Sequence, residues 1–308
     1  MIEIQENVPL AEDTTFKIGG PARYLTDAKT EDELLEALQW ARARNLPFVI
    51  QAGGSNILIP DDGLEALVIR LRSAKSHAEG MDVVADAGCN LLDIIQKASI
   101  LGLGGWEKLA GIPGTVGGAV RGNAGAFGTE IKDVVKLVHT LNSNTYEKRE
   151  FTPEECAFAY RMSFFKMHPE WIITRVVLEL NKTDPKESVK LCEETIAERE
   201  NRHLQNVKAA GSYFMNPVAP QHIQDIFEKE KGMKPRGGRV PAGWLIEKAS
   251  MKGAEVGGAI ASVQHPNYIV NTGSATAADV RALAAKIKQA VKIHFNVDLE
   301  EEAVVLER

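Results

Sequence analysis

Apolar positions follow a helical rhythm first. Behind Thr30, residues Leu34, Leu35, Leu38 and Ala41 recur three or four apart, the spacing that gathers side chains on one helix face. Glu33 stands three positions after Thr30, which predicts a capping box. Asn45 and Pro47 predict the stop. Phe48, Val49 and Ile50 form a short apolar run expected as a buried strand. It breaks at Ala52-Gly53-Gly54-Ser55-Asn56, and another strand is expected over residues 66–71. This β-α-β opening reads as one subdomain.

Residues 83–87 predict a strand and 91–101 a helix. After a glycine-rich stretch, strands are expected at 134–141, 146–151 and 172–180. A charged helix is expected from Glu187 to Gln205, with Val189, Cys192 and Ile196 on its apolar side. A further region begins near Val207. It carries a helix around residues 222–230 and a long one from Ala277 to Phe295, whose stripe is Val280, Leu283, Ile287 and Val291. Residues 303–306 read as a last strand. No internal repeat or low-complexity tail is present.

A chain of 308 residues exceeds one ordinary core, so two or three subdomains are expected. The divisions anticipated are 1–71, 72–205 and 206–296, with the strand in 297–308 returning to the first. The net charge of −6 disfavours nucleic acid, whose phosphates need a basic excess. It leaves room for a small anionic substrate in a local cationic pocket. Cys89, Cys156 and Cys192 are odd in number and far apart, so neither a disulfide framework nor a zinc site is expected. The histidines show no metal spacing, and no metal is anticipated. The acidic N-terminus is no signal peptide, and no apolar run reaches the ~18 residues of a membrane span. A cytoplasmic location is the expectation.

Ten of the 26 glycines lie between Gly102 and Gly128. Glycine persists where backbone must reach positive φ or approach a ligand closely, and the N–H groups of such a loop can cradle a pyrophosphate. The Ala52–Asn56 loop could do the same. Tight turns are the alternative for both. Neither loop is a P-loop or a GxGxxG fingerprint opening a helix.

Eight segments then carry a resemblance: FKIGGPARYL, AGGSNILIPDDG, GIPGTVGGAVRGNAGAFG, YRMSFF, AGSYFMNP, PAGWLIEKASMKG, HPNYIVN and LEEEAVVL, in that order over nearly the whole chain. The chain resembles the UDP-N-acetylenolpyruvoylglucosamine reductases, the MurB family. Only four residues separate Lys166 from Trp171, so the likeness is to the shorter type, which lacks a tyrosine-bearing insertion. The resemblance implies an α+β protein. A two-subdomain FAD-binding fold like that of vanillyl-alcohol oxidases is followed by a C-terminal α+β substrate domain. It implies non-covalent FAD, NADPH as hydride-donating co-substrate, a nucleotide-sugar substrate and a monomer. No histidine lies in either glycine loop, which excludes attachment of flavin there through histidine.

By the same resemblance, FAD would be held by Ala52, Gly53, Gly54, Ser55, Asn56, Gly111, Ile112, Pro113, Gly114, Thr115, Gly117, Gly118, Asn123, Ala124 and Gly125. Arg161, Ser212 and Glu302 match the catalytic positions. Tyr160, Arg161, Ser212, Asn216 and Glu247 fall on the substrate side. The implied reaction is a conjugate reduction of an enolpyruvyl group. Such chemistry needs a hydride carrier, a clamp for the charge growing on the carboxylate, and a proton donor. Arg161 offers a fixed, permanently charged fork. Glu302 would assist it, and Ser212 would supply the proton. Glu300 and Glu301 read as a solvated strand start. The chain departs from the family at Met215, where lysine is frequent, and at Arg121 inside the glycine loop. Arg199, Arg202 and Lys208 are candidates for the missing cation. The basic stretch Lys229, Lys231, Lys234, Arg236 and Arg239 could meet a diphosphate or the 2′-phosphate of NADPH, but reads first as a solvated loop. Two rival readings stand beside the reductase: an alcohol oxidase on the same fold, and a nucleotide-sugar sensor without flavin.

Overall fold

A computed structural model describes residues 1–202 and 207–306. The chain divides into two compact units and passes between them after Val8, Pro21, Gly54, Leu64 and Arg202.

The first unit contains two sheets. One is built from β1 (Gln5–Pro9), β2 (Pro21–Ala28), β3 (Phe48–Gln51) and β4 (Leu64–Leu71), in the order β1-β2-β4-β3. β3 and β4 run parallel, with Val49 opposite Val68. The helix α1 (Glu31–Ala43) buries Leu34, Ala37, Leu38 and Ala41 in one cluster with Leu67 and Ile69. Thr30 caps it, accepting from the Glu33 N–H at 3.1 Å. The expected capping box is only half made, because the Glu33 carboxylate accepts from the N–H of Lys29 instead. Asn45 takes a positive φ of 51° just past the helix end, a conformation asparagine tolerates.

The second sheet is antiparallel throughout. It is built from β5 (Ser76–Glu79), β6 (Asp82–Asp86), β7 (Val135–Asn142), β8 (Lys148–Phe151) and β9 (Trp171–Glu179), in the order β8-β7-β9-β6-β5. β8 begins later than the apolar pattern suggests. Tyr146 sits at φ 62° in a turn where the Asn142 side chain accepts from the N–H groups of Asn144 and Thr145. The helices of this part include α2 (Leu91–Ile100), α3 (Val116–Arg121) and α4 (Pro185–Arg202). The end of α4 expected at Gln205 lies outside the described residues. Trp106, Leu109, Val116, Val120, Val176 and Leu178 meet in the core of this part.

The second unit is organised around α7 (Ala277–Phe295), which follows α5 (Gln221–Lys231), α6 (Ala242–Lys248), β10 (Ala259–Ala261) and β11 (Ile269–Asn271). Val280, Leu283, Ile287 and Val291 are buried, as their spacing predicts. Thr276 and Asp279 form a complete capping box. Asp61 adds a second anchor: its two carboxylate oxygens accept from the N–H groups of Ala277 and Ala278 at 2.7 and 3.1 Å. A carboxylate here also complements the positive end of the helix dipole. The last strand is only Val304–Val305, paired in parallel with Ile57–Leu58 of the same unit. All three cysteines are buried and free. No helix among the described residues is long and apolar enough to cross a membrane.

One side chain organises the interior of the second unit. Asn267 donates to the Phe214 carbonyl at 2.9 Å and accepts from the Phe214 N–H at 3.0 Å. Its own carbonyl accepts from the Tyr213 N–H. Asn267→Ala leaves both buried peptide groups of Phe214 unpaired. The expected cost is about 3 kcal/mol, read as a lower denaturation midpoint with an unchanged slope.

Candidate functional site

The glycine-rich stretch of the first unit is a short helix between tight turns. Thr115 caps α3, accepting from the Gly118 N–H at 3.2 Å. The N–H groups of Val116 and Gly117 donate to the carbonyls of Cys89 and Ala87. Donors at 116–118 are therefore committed to the protein itself. Gly117 answers to packing, since a Cβ there would lie 2.7 Å from the Ala87 Cβ. Gly114, at φ 121°, does something different. Its Cα is 3.0 Å from where a Cβ on Gly53 would stand. The two glycine loops thus meet backbone to backbone. Ala52, Gly53 and Gly54 belong to this first unit, and Ser55 and Asn56 to the second.

Beyond α3 the chain turns at Asn123, which has φ 43° and is wholly buried. Residues Gly125–Ala126 and Thr129–Glu130 form a small hairpin. The Asn123 amide donates to the Ala159 carbonyl at 2.9 Å and to the Glu130 carboxylate at 3.2 Å. Its oxygen accepts from the Lys132 N–H. This links the glycine stretch to the segment that bears Arg161. Arg161 itself has φ 56°. Its guanidinium donates to the Gly125 carbonyl at 3.1 Å and lies 5.2 Å from the Tyr160 ring centroid. Lys166 donates to the Arg161 carbonyl, and Ser163 to the Arg121 carbonyl at 2.6 Å. A non-glycine residue at positive φ is strained and is held only by surrounding bonds. Here those bonds aim the guanidinium at the hairpin.

Glu130 was not among the residues expected from the sequence. Burial alone would raise its pKa. Hydrogen bonds from Lys132 and Asn123, with the charges of Lys132 and Arg161, outweigh burial and hold its carboxyl below the usual range. The signal for it was weak, because a glutamate in a hairpin 31 positions before an arginine carries no spacing rule.

In the second unit, Gly211 takes φ 70° and Ser212 follows it, half-buried. The Ser212 hydroxyl has no hydrogen-bond partner among the described residues. The next residues pair with the terminal glutamates. Phe214 lies opposite Glu301 in an antiparallel bridge, and the Met215 and Glu302 N–H groups donate to the carbonyls of Glu300 and Tyr213. The Asn56 side chain donates to the Glu302 carbonyl at 3.0 Å. This separates the three glutamates. Glu300 is exposed, as expected. Glu301, expected to be solvated, is instead paired with Lys288 of α7 at 3.0 Å. Glu302 is tied by its backbone to Tyr213 and Asn56. Burial, with the Glu301 charge second, pushes the Tyr213 phenol up to about 12.

Asn216 uses its side-chain oxygen to hold the Ala242 N–H at the start of α6, and Arg239 donates to its carbonyl. Glu247 is exposed and paired with Lys252. Of the three cations considered for the charge missing at Met215, Lys208 is exposed in the second unit. Arg199, in the first unit, packs its side chain on Gly111, with Cδ 3.1 Å from the position of a Cβ there. The side chain of Arg202 lies outside the described residues.

Comparison with known proteins gives this arrangement its class. Residues 22–145 match the FAD binding domain family, and residues 202–306 match the C-terminal domain of UDP-N-acetylenolpyruvoylglucosamine reductase. The fold is therefore that of an FAD-containing oxidoreductase with a distinct C-terminal domain. The relative from Carboxydothermus hydrogenoformans, named UDP-N-acetylenolpyruvoylglucosamine reductase, is 38% identical over 98% of this chain and 94% of its own length. The one from Pseudomonas aeruginosa is 36% identical, with 98% of each chain covered. The crystal structure of MurB from Thermus caldophilus superposes with a TM-score of 0.78 at 32% identity, covering 100% of this chain and 99% of that one. The chain belongs to the UDP-N-acetylenolpyruvoylglucosamine reductase (MurB) family.

The residues of the first unit fit FAD. The Gly53–Gly114 approach leaves no side chain where the two loops meet, so a dinucleotide would run against bare backbone. The hairpin at Gly125 carries the fixed cation Arg161.

The Glu130 carboxylate gives a pH signature. Its pKa is lowered on folding, so it stabilises the fold above the unfolded value near ~4.3. That contribution is lost as pH falls through the lower folded value. Thermal midpoints of the wild type and Glu130→Gln should differ at neutral pH, with the variant lower, and converge below pH ~4. A constant gap across that range contradicts this role.

Proposed function

We propose that this protein reduces UDP-N-acetylglucosamine enolpyruvate to UDP-N-acetylmuramate, a step in peptidoglycan precursor synthesis, in the cytoplasm and with NADPH as the electron source. The carrying observation is a family likeness over the whole chain, joined to an arginine held at positive φ with its guanidinium fixed on the Gly125 carbonyl.

FAD, when bound, supplies the hydride for the enolpyruvyl double bond. Arg161 takes the substrate carboxylate, and its permanent charge stabilises the negative charge that grows there. Because the guanidinium is already oriented, little reorganisation accompanies that step. Glu302, in its protonated form, adds a hydrogen bond to the same carboxylate. Ser212 gives the proton of its Oγ to the substrate carbon next to the carboxylate. Its hydroxyl has no hydrogen-bond partner among the described residues, which leaves its proton for a ligand. Tyr160 stacks beside Arg161 and limits water at that carboxylate. Asn216 acts indirectly, through the start of α6.

Ser212→Ala is expected to lower kcat by about 10²–10⁴-fold, the usual worth of one general acid. FAD content and the rate of NADPH-dependent flavin bleaching should stay at wild-type values. Stopped-flow absorbance separates the two halves of the cycle, and unchanged turnover would remove Ser212 from its role. NADPH-independent oxygen consumption with an alcohol would favour the oxidase reading instead.

A further inference from the structure

The glycine-rich helix carries a charge that the protein does not answer. Arg121 ends α3, four and three residues after Gly117 and Gly118. At that spacing it shares their helix face. Gly117 packs on Ala87, but the Gly118 side of that face is more open: a Cβ there would lie 3.4 Å from the Thr115 hydroxyl oxygen and 4.0 Å from the Cβ of Ala52, in the other glycine loop. The Arg121 side chain is partly buried, and it has no hydrogen bond, ion pair or ring contact among the described residues. Burial pushes its pKa down, and no neighbouring charge opposes that effect. Arg70 and Arg161, also partly buried in this unit, are different. Arg70 is paired with Asp27 at 2.6 Å, and Arg161 holds the Gly125 carbonyl.

A guanidinium does not escape burial by losing its proton at physiological pH. A partly dehydrated, unpaired charge is costly until an anion meets it. The position suits an anion brought in from outside, because neighbouring Gly118 has no side chain and the adjoining loop is small at Ala52. A leucine or tyrosine there would fill the same space without that cost, so the charge needs a reason.

We propose that bound FAD completes Arg121, which takes its counter-charge from an anionic group of the dinucleotide. The proposal rests on this unit being the FAD site. Two parts of FAD offer such a charge. The diphosphate is negative at all times, and the flavin ring becomes more negative on reduction. In either case Arg121 is a cofactor-binding residue particular to this chain's glycine loop.

The test uses full-length wild type, Arg121→Met and Arg121→Lys, each stripped of FAD and titrated with oxidised FAD. Thermal midpoints are read with and without FAD, and flavin midpoint potentials are read on the loaded proteins. Apo Arg121→Met should be at least as stable as the apo wild type, since an unpaired charge has been removed. If the diphosphate is the partner, Arg121→Met binds oxidised FAD at least tenfold more weakly. If the ring is the partner, affinity for oxidised FAD holds and the midpoint potential drops. A tenfold loss of preference for reduced flavin corresponds to about 30 mV. Arg121→Lys should recover part of whichever quantity falls.

Wild-type affinity and potential in Arg121→Met overturn the proposal. So does an apoprotein that is less stable or unfolded in Arg121→Met, which would make the residue structural. Failure of the wild-type apoprotein to take up any FAD would instead overturn the FAD site itself.

Discussion

A single buried amide determines the geometry of the first unit. Asn123 sits at positive φ, out of water, and satisfies its side chain with the Ala159 carbonyl, the Glu130 carboxylate and the Lys132 N–H. None of these partners is near it in sequence except through the hairpin. Buried polar groups are costly when unpaired, so the three bonds stand or fall together. They hold the glycine stretch, the hairpin and the Arg161 segment as one piece. The Gly125 carbonyl and the Glu130 charge then help to keep Arg161 in its orientation. The Arg161 guanidinium is thus oriented through a buried network and not by its own flexible stem alone.

The second unit applies the same device with different residues. Asn267 brackets both peptide groups of Phe214, and Asn271 donates to the Phe16 carbonyl while accepting from Gly273 and Ala275. The segment carrying Ser212 is thereby fixed on one side by an asparagine and on the other by the terminal glutamates. Glu301 contributes through Lys288, which ties the chain end to α7. The neighbouring Glu302 is held by its backbone. Three consecutive glutamates that look alike in sequence therefore have three environments.

The long elements were legible because one strong pattern governed each. α7 has a clean apolar stripe and a capping box, and it runs over the residues its pattern predicts. α1 and the strands at 135–142 and 171–179 were read for similar reasons. α3 was not legible, because glycine weakens helices and its residues read as loop. It forms because Thr115 caps it and Gly117 lets it press on Ala87. β1 and β2 were passed over as well, since polar or charged positions such as Gln5, Glu6, Asn7, Arg23, Thr26 and Asp27 interrupt the apolar rhythm of a buried strand. In the candidate site, motif residues were visible by resemblance. Their supports were less so: Glu130 stands in none of the matched segments, and Asn267 stands in HPNYIVN without a sign of its role. A supporting contact across 31 or 53 positions has no local signature. The structure also adds Arg121, present in the sequence only as a departure from the family, whose significance lies in what does not surround it.

The most direct measurement is an anaerobic absorbance record of the purified, FAD-loaded protein through one cycle. NADPH is added first, then UDP-N-acetylglucosamine enolpyruvate. This account predicts that the flavin absorbance bleaches with NADPH and returns in full, one equivalent per equivalent of enolpyruvyl substrate, as UDP-N-acetylmuramate forms. A flavin that NADPH reduces but the enolpyruvyl substrate fails to reoxidise would contradict it.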